Sequence, residues 1–190
     1  MTVMVERESG PYTVEDLEGM PDDGRRYELV DGELLVSPAP GFRHQKIVGE
    51  LFVRLREACP DDLSVLTAPF AVQTAVTTEV QPDVLVGRNA DFTDKLLPVA
   101  PLLAVEVLSP GTNIRDLTVK KDAYERMGVV SYWVIDPWEP MLAVFELDSD
   151  GCYRLVAEVS EEKPFDATLP FPVRIVPAEL LGNLWEPEAE

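Results

Sequence analysis

The chain has 190 residues, 46% hydrophobic and 27% charged, which suits one α/β domain with a substantial core. Its 35 acidic against 16 basic side chains give a formal net charge of -19, so it lacks the overall basic character by which proteins commonly hold duplex DNA. No apolar run approaches the ~20 residues that span a bilayer, and MTVMVERESG at the N-terminus has no apolar signal core, so the expected location is the cytoplasm.

A field this negative repels nucleic acid over a Debye length of roughly 8 Å. A site for cations fits the charge better, although acidity also simply keeps a protein soluble. Cys59 and Cys152 are too few and too far apart for a disulfide framework or a structural zinc site, so two reduced thiols are expected.

Thr13 and Asp16 before Leu17 form a capping-box pattern and predict a short helix near Val14–Met20. RRYELV and ELLVSP flank Asp31-Gly32, a strong hairpin signal. In its first arm Glu28 shares a face with Val30, either solvated or turned to a site. From Phe42 to Ala58 the residues Ile47, Val48, Leu51, Phe52 and Leu55 recur at helical spacing. SVLTAPFAVQTAV reads as one or two extended segments with Pro69 at an edge or bulge, and Val84–Val86 after Gln81-Pro82-Asp83 as a short buried strand. Lys95 to Pro101 reads as a connector.

Leu102 to Pro137 reads as a strand, a helix from about Asn113 to Met127 closed by Gly128, and a second strand over Tyr132–Asp136. LLAVEVL is apolar throughout except for Glu106. An unpaired carboxylate cannot stay ionised in a core, so Glu106 requires a metal, a cation or solvent. Asp116, Lys120 and Tyr124 are spaced four apart along one helix face. Met141–Val159 is a hairpin turning at Asp150-Gly151, a short helix is expected around Ala178–Leu181, and EPEAE at the end is expected to fray.

Asp83 and Glu106 belong to two predicted strands that a connector could bring to one end of a sheet. Two carboxylates there suit a hard divalent cation with oxygen ligands, Mg²⁺ or Mn²⁺, and a nearby lysine could stabilise charge on a phosphate. Pro82-Asp83 and Glu106 resemble the PD-(D/E)xK nuclease superfamily. The ordered set YELVDGEL, His44, QPDVLV, VEVLSP, Lys120 before Tyr124, and GVVSYWVIDP resembles the Uma-type "putative restriction endonuclease" family of bacteria, over roughly Tyr27 to Pro137.

That resemblance implies a restriction-endonuclease-like α+β fold: a mixed β-sheet flanked by helices with additional β-hairpins, forming one domain over residues 1–190. It implies a metal held by Asp83, Glu106 and the backbone carbonyl of Val107. The superfamily pattern places lysine two residues after the second acid, where this chain has Leu108. The resemblance moves that role to Lys120, with Lys121 as the fallback, and brings in Glu28 as an upstream acid.

Each residue also has a plainer use. Pro-Asp is a common turn, Lys120 alone suits a solvated position or an ion pair with Asp116, and Tyr124 could orient Lys120, bind phosphate or pack in the core. For His44, the only histidine, a surface or capping role is preferred over catalysis. The leading functional expectation is a Mg²⁺-dependent endonuclease acting on nucleic acid, DNA first, and forming a homodimer because duplex cleavage needs two cuts. The alternative is a nuclease-like module that binds or assembles without cutting. Positive charge near the site would come from Arg115, Lys120, Lys121 and Arg126, with Arg25, Arg26, Arg43 and Lys46.

Overall fold

The computed structural model describes residues 2–5, 10–109 and 114–185. The N-terminal half opens with β1 (Val3–Val5) and α1 (Val14–Glu18), where the Thr13 N–H donates to the Asp16 carboxylate at 2.9 Å as a capping box should. Strands β2 (Arg26–Val30) and β3 (Glu33–Ser37) form the expected hairpin. Asp31 and Gly32 at its tip adopt φ of 52° and 83°, the left-handed pair that suits Asp-Gly. A Cβ on Gly32 would sit 2.4 Å from that of Pro11, so this glycine is required twice over.

Helix α2 (Phe42–Ala58) buries Ile47, Val48, Leu51 and Leu55, the stripe its periodicity predicts. The SVLTAPFAVQTAV stretch becomes β4 (Leu63–Thr67) and β5 (Ala71–Ala75), followed by β6 (Thr78–Val80) and β7 (Val84–Arg88). The connector after β7 contains a two-residue strand, β8 (Leu96–Leu97). Then come β9 (Leu103–Val107), α3 (Ile114–Met127) and β10 (Ser131–Asp136), the strand–helix–strand unit read from the sequence. Strands β11 (Met141–Leu147) and β12 (Tyr153–Ser160) make the second long hairpin, and β13 (Phe165–Ala167), β14 (Val173–Ile175) and α4 (Pro177–Leu181) complete the described chain.

The strands form two six-stranded mixed sheets, β1-β3-β2-β6-β5-β8 and β12-β11-β10-β9-β7-β4, plus the small β13-β14 pair. The expected mixed sheet is thus accompanied by a second of equal strand number. β4 and β5, contiguous in sequence, go to different sheets. Within the second sheet β9 runs parallel to β10 and antiparallel to β7.

Period-two alternation assigns the two faces of this sheet. Val84, Val105, Val107, Trp133 and Ile135 pack against α2 and the C-terminal segment. Leu85, Ala104, Tyr132 and Val134 face the other way, toward Ala123 and Tyr124 of α3 and toward Val30, Leu35, Val72 and Val80 of the first sheet. Glu106 shares the face of Ala104, and Asp83 that of Leu85. Both acids therefore point into the layer between the two sheets. Calls at Pro110, Gly111, Asn113 and the EPEAE tail fall outside the described residues, as do the side chains of Arg115 and Asp116. Among the described residues, no helix is long and apolar enough to cross a membrane.

Candidate active site

Asp83 immediately precedes β7, and the register Val84↔Val105 carried one step on sets it opposite Glu106. Its carboxylate is closely held. Oδ2 accepts the Val107 backbone N–H at 2.8 Å and lies 3.0 Å from His44 Nε2, while Oδ1 takes both Arg26 Nη atoms at 2.9 Å. His44 is buried within α2, whose N-cap is Gly41, so the surface or capping reading of this histidine is overturned. Burying the first turn of α2 against the sheet end carries His44 onto Asp83.

Glu106 is the penultimate residue of β9 and is met from α3. Lys120 Nζ donates to its Oε1 at 3.0 Å and Tyr124 Oη to the same oxygen at 2.6 Å, since helical residues four apart share a face. The Lys120 ammonium also donates to Glu28 Oε1 at 2.9 Å, and the Gln81 N–H fixes that oxygen at 2.8 Å. Glu28 is buried in β2, so one lysine bridges carboxylates from both sheets. The solvated reading of Lys120 fails for the same reason: it is only 9% exposed.

The proton affinities of Asp83 and Glu106 are displaced in opposite directions. Burial drives Glu106 up to about 7, aided by Asp83 and Glu28, with the Lys120 charge and the Tyr124 hydroxyl acting against it. Burial also opposes ionisation of Asp83, but the His44 hydrogen bond and the Arg26 charge outweigh it and hold Asp83 at about 2. Lys120 loses solvation on burial, yet Glu106 and Glu28 raise it above the ordinary lysine value, so it stays an ammonium ion.

A cavity of about 70 Å³ opens onto Arg26, His44, Asp83, Glu106, Val107 and Lys120. Beside it runs a groove of about 540 Å³ that shares Arg26, His44 and Asp83 as its wall. The oxygen chemistry at the cavity suits a hard divalent cation. Glu106 Oε2 accepts no hydrogen bond among the described residues. Pro82, which the β7–β9 register sets across from Val107, has no N–H for the Val107 carbonyl. Asp83 is the exception, because its acceptor directions are already filled. Among the described residues, no group of three or more His, Cys, Asp or Glu side chains is arranged to hold a metal.

Among the described residues, the remaining cations of the predicted set do not converge. Lys121 turns away from the acids, with Nζ 5.1 Å from the Phe145 ring centroid and 5.8 Å from that of Tyr153. Arg25 pairs with Asp23, Lys46 with Glu50 and Arg126 with Asp31, while Arg43 donates to the Pro137 carbonyl. Arg26, named from the sequence only as one of eight basic residues that could add positive charge, is the site residue whose place the sequence reading does not give. Its signal is the period of β2, which puts Arg26 on the face of Glu28.

The Uma2 family model, described as "Putative restriction endonuclease", matches residues 14–179. The chain belongs to the Uma2 family. A crystal structure from Anabaena variabilis, titled as a putative nuclease belonging to DUF820, superposes with a TM-score of 0.71 at 18% identity, covering 92% of this chain and 100% of that one. At that identity the likeness shows the fold, a mixed α+β nuclease-like architecture. No curated protein matches the chain. Family and fold together make this Uma2 chain nuclease-like.

Proposed function

We propose that this Uma2-family chain is a divalent-cation-dependent endonuclease that hydrolyses phosphodiester bonds of nucleic acid, with DNA as its first substrate. The observation that carries the reading is the Lys120 ammonium, shared by Glu28 and Glu106, in the lining of the Asp83 cavity. A permanently charged lysine among acids at the end of a sheet is an arrangement for phosphate chemistry.

Asp83, Glu106 and the Val107 carbonyl would hold Mg²⁺ or Mn²⁺, all through oxygen. When bound, the ion supplies Lewis-acid activation of water and of the phosphate. Lys120 Nζ stabilises the negative charge that grows on the non-bridging oxygens. Glu106 stays ionised as a ligand, and the proton released as the water oxygen bonds to phosphorus passes to solvent. The P–O3′ bond breaks, and O3′ leaves with a proton, giving 5′-phosphate and 3′-hydroxyl ends. Glu28 is a positioning residue acting through Lys120, and Tyr124 acts through Glu106. His44 steadies Asp83.

The test is cleavage of labelled single- and double-stranded DNA and RNA at low salt, with Mg²⁺, with Mn²⁺ and with chelator. Wild type should cut only with metal, and Asp83→Ala and Glu106→Ala should not; unchanged cutting in either variant would sink the assignment. A second reading, a binding or assembly module that does not cut, is favoured by the full set of protein donors already on Asp83. Calorimetry without heat from Mn²⁺, in wild type and Asp83→Ala alike, would select it. For duplex cutting we propose a two-fold dimer through the edge strand β12, where Leu155 and Val156 are exposed; a monomer mass in light scattering would remove it.

A further inference from the structure

Arg26 occupies an unusual place among the basic residues. Both of its Nη atoms donate to Asp83 Oδ1 at 2.9 Å, and Nη1 also reaches the Gln81 carbonyl at 3.0 Å. The other oxygen, Oδ2, has the Val107 N–H at 2.8 Å and His44 Nε2 at 3.0 Å. A carboxylate offers about four lone-pair directions, so Asp83 has none left for a further cation.

Of these four contacts, two cannot easily leave. The Val107 N–H is part of β9, and His44 is anchored in α2 with a side chain only 6% exposed. Arg26 differs on both counts. Its side chain is 19% exposed against 3% for Asp83, and it forms part of the wall between the small cavity and the 540 Å³ groove. The guanidinium thus has an outward volume to enter, on a flexible stem.

Charge points the same way. A guanidinium neutralises a buried carboxylate well, and removing it without replacement leaves an uncompensated charge. A divalent cation is such a replacement. Two positive groups on one carboxylate oxygen would repel at close range. We infer that Arg26 is the site's own counter-cation: it holds Asp83 while no metal is bound, competes with a divalent cation for that carboxylate, and turns into the adjoining groove to bind substrate phosphate when the cation enters. This rests on the metal reading of Asp83 above, and it adds a residue that couples metal loading to phosphate recognition. The planar fork of five N–H donors suits a phosphodiester once it is released from Asp83.

The experiment measures two affinities on wild type, Arg26→Met, Arg26→Lys and Arg25→Met, each first shown to be folded by circular dichroism. One is for Mn²⁺ alone, read from free Mn²⁺ by electron paramagnetic resonance; the other is for a fluorescent oligonucleotide in Ca²⁺. Arg26→Met should bind Mn²⁺ about tenfold tighter or more, yet bind the oligonucleotide about tenfold more weakly, a shift on each side of about one charge-pair interaction. A merely loosened fold would weaken both. Arg25→Met removes the same charge one residue away, from a guanidinium paired with Asp23 at 3.1 Å, and should leave Mn²⁺ affinity within about twofold. Arg26→Lys, charged but without the fork, should bind Mn²⁺ more tightly than wild type, and this comparison carries the test if the methionine variant is too unstable to measure. Equal Mn²⁺ affinity in wild type and Arg26→Met, or an equal shift in Arg25→Met, would overturn the competition while leaving the metal site standing. Unchanged oligonucleotide affinity in Arg26→Met would overturn the phosphate role. Absence of Mn²⁺ binding in every variant would remove the metal reading itself, and the inference with it.

Discussion

Lys120 Nζ lies 2.9 Å from Glu28 Oε1 although 92 residues separate them, and the same ammonium reaches Glu106 at 3.0 Å. It is therefore both the electrostatic clamp between the two sheets and the cation nearest to Glu106. Lys120→Met leaves two buried carboxylates without their partner and should cost about 3–5 kcal/mol in urea unfolding. Adding Glu28→Gln removes one of those charges and should recover part of the loss, without restoring cleavage. A double-mutant cycle that gave simple additivity would contradict the clamp.

Asp83→Asn changes an acceptor-only group into one that also donates, facing the donors Arg26 and Val107 N–H. We expect cleavage to fall at least about 10³-fold, from loss of several kcal/mol of cation-derived stabilisation. Single-turnover rates in Mg²⁺ check this. A residual rate within tenfold of wild type would exclude Asp83 from the metal set.

The pH dependence of stability in chelator follows from the two displaced carboxyls. Glu106, held near 7 against an ordinary 4.5, is raised, so its contribution is fully present below 4.5 and is lost as pH climbs through about 7. Asp83, held at about 2 against 3.8, is depressed, so its contribution is present above 3.8 and is lost as pH falls toward 2. The melting temperature of wild type should decline by several degrees between pH 5 and pH 8. Glu106→Gln should show a flatter profile over that window. Parallel profiles would mean that Glu106 titrates near its ordinary value.

Tyr124→Phe removes the hydroxyl that lies 2.6 Å from Glu106 Oε1 and keeps the ring packed on Tyr132, whose centroid is 5.1 Å away. A donor to the ionised carboxylate lowers its proton affinity, so its loss should raise Glu106 further. The acid limb of the cleavage pH profile should move to higher pH, with a stability loss of about 1 kcal/mol. An unmoved limb would show that Glu106 does not set it.

Much of the architecture is legible in one dimension. The stripe Ile47, Val48, Leu51 and Leu55 marks α2, Asp31-Gly32 marks a hairpin, and the apolar LLAVEVL run with a helix after it marks β9–α3–β10, because these patterns are local and repeat with the period of the element. Glu106 is legible for a different reason: a carboxylate inside such a run must have a partner. The short strands β1, β6, β8, β13 and β14 are not, since two or three residues carry no period and exist only through distant pairing.

By itself, then, the chain determines the longer strands and helices, and it marks Glu106 as a charge in need of a counterpart. Only the tertiary structure decides who the counterparts are. Arg26 and His44 meet at Asp83 from a strand and a helix of different layers, and Lys120 joins Glu28 to Glu106 across two sheets. It also disperses the other basic side chains, so that Lys121 ends over aromatic rings while its neighbour Lys120 is buried among acids. The physical reason is that a 100° turn of helix separates those two lysines, and which face is buried depends on sheets packed from residues far away along the chain.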